Sequence, residues 1–220
     1  MSEPRSRAQR VHEVVPGIQR WSVRDDRIGG AESDAYAVVE SGEVTLVDPL
    51  PIDVGRLSRL GAVRAIVLTA PCHQRSAWRL RRALGAPVLA PEGPAVGPEP
   101  GELEEEPDRR YRDGDALPGG LLAVHAPGPD LEMYALWHPR TLALFLSDLL
   151  VHEGRGNPTF VPNEYQEDPR RTRDSVRAIL ARFPVAVACF GHGPPIVESA
   201  REALARALAA DGAPGIPAPG

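Results

Sequence analysis

The sequence predicts a mixed α/β domain in which two β-sheets are covered by helices. The predicted elements follow the order strands, helix, strand, helix, strands, helix, strand, helix, which suits two sheets that each pack against helices. Two continuous apolar runs, residues 65–69 and 185–190, are typical of strands buried on both faces. No long linker divides the 220 residues, and a chain of this length can bury one large core.

The first half of the chain carries strand-like segments that alternate with two helical patterns. Four short strands are predicted at residues 11–15, 18–23, 34–41 and 43–48. A helix at residues 52–60 has apolar side chains at helical spacing and ends at Gly61. The buried strand at 65–69, an amphipathic helix at 76–84 and a strand at 87–90 follow.

The second half begins with a different kind of segment. Residues 92–108 are rich in proline and glutamate, which predicts an exposed acidic loop. Further strands are predicted at residues 121–125, 133–138, 142–146 and 185–190, and helices at 169–183 and 196–210. Asp168 and Pro169 form a typical cap and first turn for the first of these helices.

These elements predict a single domain with two short terminal extensions. Residues 1–10 read as a polar N-terminal segment, residues 11–210 as the domain, and residues 211–220 as a disordered Pro/Gly tail. The first twenty residues lack the apolar core of a secretory signal, and the longest apolar run, residues 141–151, is too short to span a bilayer. We therefore expect a cytoplasmic protein.

Charge and cysteine usage narrow the function classes. The formal net charge is −5, which argues against a nucleic-acid partner and against docking on anionic membranes. Cys72 and Cys189 are far apart and follow no zinc-finger spacing. The chain contains no lysine, so Schiff-base chemistry is excluded. A small-molecule ligand is the expected partner, and the sequence does not indicate an oligomeric state.

Five segments along the chain carry a recognisable set of motifs. They are VVPGIQRW (residues 14–21), AYAVVESGEVTLVDP (35–49), AIVLTAPCHQRSAWRLRRALGAPVLAP (65–91), HAPGP (125–129) with SDLL (147–150), and CFGHGPP (189–195). In this order and spacing they resemble the motifs of the metallo-β-lactamase superfamily. The resemblance implies a four-layer αβ/βα sandwich, in which two sheets lie face to face with helices outside, and a hydrolase-like protein.

The resemblance also implies where zinc ligands would stand, and most of these positions carry other residues. The family loop reads Thr-His-x-His-x-Asp-His-x-Gly, and the next motif supplies one further His. A gapless match places these residues at the former ligand positions: Ala70, Cys72, Gln74, Arg75 and Pro129. Asp148 stands at the bridging carboxylate position and His192 at the final His. Asp48 matches the first Asp of the family and is expected to orient the loop by hydrogen bonding.

The remaining donors favour a site without metal. A catalytic zinc needs about three protein ligands and an open position. Cys72, Asp148 and His192 could supply them, with His73 next to Cys72 in the loop. Arg75 is a permanent cation at a former ligand position and would repel a metal. We therefore expect no cofactor, with one zinc ion at Cys72, Asp148 and His192 as the alternative.

Three functions stay open at this point. The first is a metallo-β-lactamase-fold protein that has lost most zinc ligands, an unusual or inactive hydrolase homologue with a retained pocket. The second is a hydrolase of an ester, thioester or similar bond with one unusual metal site. The third is metal-free catalysis by Cys72, His192 and Asp148, with the histidine as base. In each case these three are the candidate catalytic residues, and Asp48, His73 and Arg75 are candidate pocket or supporting residues.

A specific ion pair is predicted in place of the metal. Without zinc, Asp148 would be an unpaired carboxylate in a partly buried cleft, and it would acquire a proton or a cation partner. Arg75 stands where relatives share a metal with that carboxylate, and its guanidinium can bind a carboxylate through two hydrogen bonds. We therefore predict an Arg75–Asp148 ion pair, directly or through one water, with His192 nearby. We also expect Cys72, Arg75, Asp148 and His192 to converge at one sheet edge.

Overall fold

The computed structural model describes residues 3–211 and contains two β-sheets. In the larger sheet, neighbouring strands follow one another in chain order. Its seven strands are β1 (His12–Val15), β2 (Ile18–Asp25), β3 (Ala31–Glu40), β4 (Glu43–Val47), β5 (Ala62–Val67), β6 (Val88–Pro91) and β7 (Arg109–Tyr111). Strands β1 to β4 pair antiparallel, and β4 to β7 pair parallel. The carboxyl ends of β4 and β5 therefore lie at the same edge of the sheet.

The smaller sheet has five strands in the order β12, β11, β10, β9, β8. They are β8 (Ala116–Leu117), β9 (Leu121–His125), β10 (Tyr134–His138), β11 (Ala143–Phe145) and β12 (Val187–Cys189). Strands β8 to β11 pair antiparallel, and β12 lies parallel to β11. The carboxyl ends of β11 and β12 are therefore neighbours as well.

Two helices follow strands of each sheet. They are α1 (Val54–Ser58), α2 (Ala77–Leu84), α3 (Pro169–Arg182) and α4 (Ala200–Asp211). The side chain of Asp53 caps α1, and that of Asp168 accepts from two backbone N–H groups in the first turn of α3, which begins at Pro169. Within residues 3–211, no helix combines the length and the apolar character that crossing a membrane requires.

Alternate side chains of the central strands face different layers. In the larger sheet, Ile66 packs into the cluster that includes the helix residues of α1 and α2, whereas Val67 packs between the sheets. In the smaller sheet, Ala135 faces α3 and α4, and Leu136 faces the other sheet. The layers are thus helices, sheet, sheet and helices. The predicted four-layer αβ/βα sandwich is confirmed, and the two buried strands of the prediction lie in different sheets as β5 and β12.

Several boundaries differ from the sequence prediction for local reasons. Strands β7 and β8 were not expected, because β7 reads Arg-Arg-Tyr and only Tyr111 is buried. Helix α4 begins four residues later than predicted, since Ile196 exchanges backbone hydrogen bonds with Ala188. Asp211, assigned to the tail, ends α4 and pairs with Arg173 at 2.7 Å. Residues 212–220, the rest of the predicted tail, lie outside the described residues.

The polar N-terminal segment and the acidic loop both pack on the domain. Ala8 is buried and forms a bridge with Ile52, and Glu3 accepts from the Ser76 hydroxyl at 2.6 Å. In the loop at 92–108, Leu103 is fully buried in the cluster beneath α2. The loop is therefore anchored, and two of its glutamates, Glu105 and Glu106, pair with arginines.

Candidate metal centre

The candidate site lies where the carboxyl ends of strands from both sheets meet. Asp48 follows β4, the loop with Cys72 and His73 follows β5, Asp148 follows β11, and His192 follows β12. Contacts between these loops join the two sheets, since His73 and Asp148 touch at 3.0 Å. Parallel pairing within each sheet places the strand ends side by side, which explains how residues so far apart in sequence come together.

Unusual backbone conformations border the site. Six non-glycine residues of the described chain have positive φ, and three of them, Asp48 (46°), Arg75 (36°) and Ser147 (52°), lie in these loops. Such conformations are unfavourable for residues with a Cβ atom and persist where the surrounding contacts impose them. The loops are therefore held in shape by the interactions described next.

Asp48 fixes the loop after β5 and the ring of His73. Its Oδ1 accepts from the Thr69 backbone N–H at 2.8 Å and its Oδ2 from the Thr69 hydroxyl at 2.5 Å. Oδ2 also lies 3.0 Å from His73 Nδ1. Because a carboxylate accepts, Nδ1 carries the proton and Nε2 is left to face the site. Asp48, for which the sequence predicts a role in orienting the loop by hydrogen bonding, thus contacts both Thr69 and His73.

Asp148 lies between two histidines. Its Oδ2 is 3.0 Å from His73 Nε2, and its Oδ1 is 3.3 Å from His192 Nε2. His192 Nδ1 lies 2.9 Å from the Glu32 carbonyl oxygen, so this nitrogen also carries a proton. In their neutral forms, both rings would turn a lone pair toward the Asp148 carboxylate. A cation, either a proton or a metal ion, is therefore needed between Asp148 and these nitrogens.

In the absence of metal, charge is concentrated on His73 and Asp148. Burial opposes protonation of His73, but the Asp148 carboxylate outweighs it and holds the pKa of His73 well above its ordinary value. Burial would likewise raise the pKa of Asp148, yet the two histidines hold that pKa well below the ordinary value. The metal-free site is thus an imidazolium–carboxylate pair at neutral pH.

Cys72, His73 and Asp148 form the one group of three in residues 3–211 whose donor atoms all lie within 4.8 Å of one another. Cys72 is exposed, His73 is buried and Asp148 is partly exposed. The sequence had grouped Cys72 and Asp148 with His192, whereas the structure places His73 in this set and His192 on the other carboxylate oxygen. The gapless family match assigned His73 to a position without a ligand. The available signal was that His73 is the single histidine of its loop.

The predicted Arg75–Asp148 ion pair is not formed as a direct contact within residues 3–211. Arg75 is buried, and its Nη1 donates to the backbone carbonyls of Asp34 at 2.8 Å and Asp48 at 3.4 Å. The backbone turns into the left-handed region at Arg75, and the side chain runs toward β3 and the end of β4. His73 takes the position beside Asp148 instead.

Gln74, at the position of the family's Asp, anchors the acidic loop. Its amide Nε2 donates to the Glu102 carbonyl at 3.0 Å, and its Oε1 accepts from the Glu104 N–H and the Trp78 indole, both at 2.7 Å. This side chain is committed to the loop and to α2. It therefore supplies no ligand to the candidate site.

The glycines on both sides of His192 allow close packing around the site. A Cβ atom at position 191 would lie 2.7 Å from Asp148 Oδ1, and one at position 193 would lie 1.6 Å from the His152 carbonyl oxygen. Gly193 also has a φ of 96°. Both positions therefore need glycine so that His192 can sit beside Asp148.

Asp25, which accepts from the hydroxyl of Ser33 in β3 at 3.0 Å, provides a pH-dependence prediction. Burial alone would raise the pKa of Asp25, but hydrogen bonds from Arg27 and Ser33 lower it to about 2. A carboxyl group with a depressed pKa stabilises the fold above its unfolded pKa, near 3.8, and this stabilisation is lost as the pH falls toward 2. The difference in unfolding free energy between wild type and Asp25→Asn should therefore shrink between pH 5 and pH 2 in urea titrations. Asp26→Asn, at the exposed neighbour, is the control; an Asp25 difference that stays constant over this range would contradict the assignment.

The three-dimensional structure of the chain is similar to known structures. No protein-family model and no curated protein sequence matches the chain. The metallo-β-lactamase FIM-1 from Pseudomonas aeruginosa, in its mono-zinc form, superposes with a TM-score of 0.73 at 14% identity, covering 97% of this chain and 100% of that one. A metallo-β-lactamase from Pontibacter korlensis has a TM-score of 0.72 at 17% identity, covering 91% of this chain and 98% of that one. A metallo-β-lactamase from Erythrobacter litoralis with β-mercaptoethanol in the active site has a TM-score of 0.71 at 17% identity, covering 91% of this chain and 96% of that one. Together with the two-sheet sandwich and the site at its edge, these likenesses show that the chain has the metallo-β-lactamase fold.

Proposed function

We propose that the protein is a hydrolase of the metallo-β-lactamase fold that uses a single divalent metal ion, with zinc as the ion its donors suit best. The observation that carries the proposal is the cluster of Cys72, His73 and Asp148, whose donor atoms lie within 4.8 Å of one another. Thiolate, imidazole and carboxylate are the usual zinc ligands, and three protein ligands leave one position open for chemistry.

The groups around the cluster fit a metal as well. Histidines that bind a metal through one nitrogen commonly donate the other N–H to a carboxylate, and His73 Nδ1 faces Asp48 in this way. Asp148 Oδ1 is inaccessible to solvent and lies 3.3 Å from His192 Nε2. Within residues 3–211, this oxygen accepts no hydrogen bond. A metal ion bound by Asp148 and His73 Nε2 would satisfy both the carboxylate and the neutral His73 ring.

Asp48 and the Glu32 carbonyl each fix the protonated nitrogen of one histidine at the proposed site. A bound zinc ion would supply a Lewis acid that activates water and polarises the bond to be cleaved. Asp48 keeps the proton on His73 Nδ1, so that Nε2 stays available as a donor atom. The Glu32 carbonyl keeps the proton on His192 Nδ1, so that the lone pair of Nε2 is turned toward Asp148 Oδ1.

The reaction we propose is hydrolysis of an ester, thioester or similar bond in a small molecule. The fold supports hydrolysis as the reaction type, and a mono-zinc metallo-β-lactamase among the similar structures supports a single ion. The formal net charge of −5 supports a partner other than nucleic acid or an anionic membrane.

A second candidate function, a metal-free homologue with a retained pocket, is favoured by one observation. His73 and Asp148 touch directly at 3.0 Å, and the raised pKa of His73 lets a proton satisfy this pair without metal. The third possibility, a Cys72–His192–Asp148 nucleophile, is disfavoured because the two nitrogens of His192 face Glu32 and Asp148. Neither nitrogen is then placed to take the thiol proton.

Zinc binding by matched cysteine variants tests the proposal. After equilibrium dialysis against zinc, wild type should retain a single ion per chain, measured by elemental analysis. Cys72→Ala should lower the zinc affinity by about tenfold or more, because a thiolate ligand is lost. Cys189→Ala is the control, since Cys189 is buried between the sheets and burial raises the pKa of its thiol above the ordinary range. Wild type without zinc, or equal affinities for both variants, would contradict the proposed site.

A further inference from the structure

Three hydrogen bonds tie His192 and its two neighbours to Glu32 and Asp34 of β3. The Asp34 N–H donates to the Gly191 carbonyl at 2.8 Å, and Asp34 Oδ2 accepts from the Gly193 N–H at 2.6 Å. The Glu32 carbonyl accepts from His192 Nδ1 at 2.9 Å. Asp34 thus bonds to the residues on both sides of His192, in addition to the Gly191 N–H bond to the Ser147 carbonyl.

The same residue is fixed by two arginines. Asp34 Oδ1 accepts from Arg20 Nε on the adjacent strand β2 at 2.6 Å. Its backbone carbonyl accepts from Arg75 Nη1, two residues after His73, at 2.8 Å. The Asp34 side chain is completely buried. Asp34 therefore links the loop of His192, the loop of His73 and the sheet.

We propose that Asp34 is a positioning residue that sets the distance between His192 Nε2 and the Asp148 carboxylate. It acts through the Gly193 backbone and the Gly191 carbonyl, and it touches neither of the two groups it positions. Its meaning for catalysis rests on the proposed metal-dependent hydrolysis, whereas its effect on the position of His192 does not.

The chemistry at position 34 explains why a carboxylate is present. Two N–H donors, from Arg20 and Gly193, face the two side-chain oxygens, and only a carboxylate offers an acceptor to each. Burial raises the pKa of Asp34 to about 6 although Arg20 counteracts it. The ionised group is therefore less stable here than in water, and its hydrogen bonds to Arg20 and Gly193 offset part of this cost.

The test compares two carboxylates with the same kind of partners. Asp34→Asn keeps the shape but offers one acceptor to two donors, so one of the bonds is lost. Asp108 likewise bridges an arginine, Arg81 Nη2 at 2.8 Å, and a backbone N–H, that of Val88 at 2.9 Å, but beside β6. Asp108→Asn is therefore the matched control.

Two measurements on the metal-free protein read the position of His192. In Asp34→Asn, the ¹⁵N signals of the His192 ring should shift and the Gly193 amide should exchange with solvent at least about tenfold faster. In Asp108→Asn, the His192 ring signals and the exchange rate of the Gly193 amide should match those of wild type.

A double variant provides rescue. In Asp34→Asn with Arg20→Gln, the new carboxamide at position 20 can place its oxygen where Arg20 Nε stood and accept from the amide nitrogen at position 34. The amide oxygen at position 34 is then free for the Gly193 N–H, so the His192 signals should return toward wild type. The double variant also carries the test if the single variant does not fold.

The outcomes separate this inference from the proposed function. Unchanged His192 and Gly193 signals in Asp34→Asn, or a folded double variant in which His192 stays displaced, would overturn the positioning role. Wild type that binds no zinc would instead contradict the proposed function, and the metal-free measurements would still decide the role of Asp34.

Discussion

Replacing His73 by alanine is expected to abolish zinc binding and to lower the free energy of unfolding by about 3–5 kcal/mol at pH 7. His73 Nδ1 and Nε2 each lie 3.0 Å from a carboxylate, that of Asp48 and that of Asp148. Without the ring, both carboxylates lose a cationic partner in a largely buried place, and a cavity is left. Urea denaturation and zinc dialysis of the variant measure the two effects.

The matched control is a second buried histidine away from the site. His138, at the end of β10, contacts the Thr141 hydroxyl at 2.7 Å, and burial lowers its pKa, so it is neutral. His138→Ala should lose the packing and one hydrogen bond but should leave zinc binding unchanged. Equal zinc affinities for wild type and His73→Ala would contradict the assignment of His73 as a ligand.

The pH dependence of the metal-free proteins gives a further check on His73. A histidine whose folded pKa is raised stabilises the fold fully below its unfolded pKa, near 6.5, and this stabilisation is lost as the pH rises through the folded pKa. The stability difference between wild type and His73→Ala should therefore narrow in alkaline solution. A difference that is constant from pH 6 to pH 10 would show that the imidazolium–carboxylate pair does not carry it.

Gly193→Ala is expected to lower the free energy of unfolding by about 4 kcal/mol or more, or to prevent folding. The new methyl group would lie 1.6 Å from the His152 carbonyl oxygen, which belongs to the backbone and cannot rotate away. The φ of 96° adds strain for any residue other than glycine. Thermal and urea unfolding of the purified variant measure the loss.

Gly42→Ala separates strain from steric overlap. Gly42 has a φ of 78°, and nothing lies within 4 Å of the point that a Cβ atom at this residue would occupy. This control should therefore cost only the conformational strain, about 1–2 kcal/mol. If both variants lose the same stability, the overlap with His152 is not the cause and the close packing beside His192 has been misjudged.

Much of the fold could be predicted from local patterns. The apolar runs that became β5 and β12 and the cap at Asp168 are short-range signals, and the order of motifs assigned them to two sheets. Strands β7 and β8 could not be predicted, because they are two or three residues long and are strands only through pairing with distant neighbours. The acidic loop was predicted from its charge, but the burial of Leu103 depends on tertiary packing.

The candidate site was predictable in its location and less so in its contacts. Motif order placed Asp48, Asp148 and His192 at strand ends, and the structure brings these loops together. The exchange between His73 and Arg75 was not predictable, because motif spacing gives a position along the loop and not the direction of each side chain. That direction depends on the left-handed turn at Arg75 and on the carbonyls of β3 and β4 that receive its guanidinium.

The most direct test of the proposed zinc site is anomalous X-ray diffraction at the zinc edge from crystals of the wild-type protein grown with zinc. We predict a single anomalous peak within bonding distance of Cys72 Sγ, His73 Nε2 and the Asp148 carboxylate. A map without a peak at these three residues, with His73 still in direct contact with Asp148, would contradict the site.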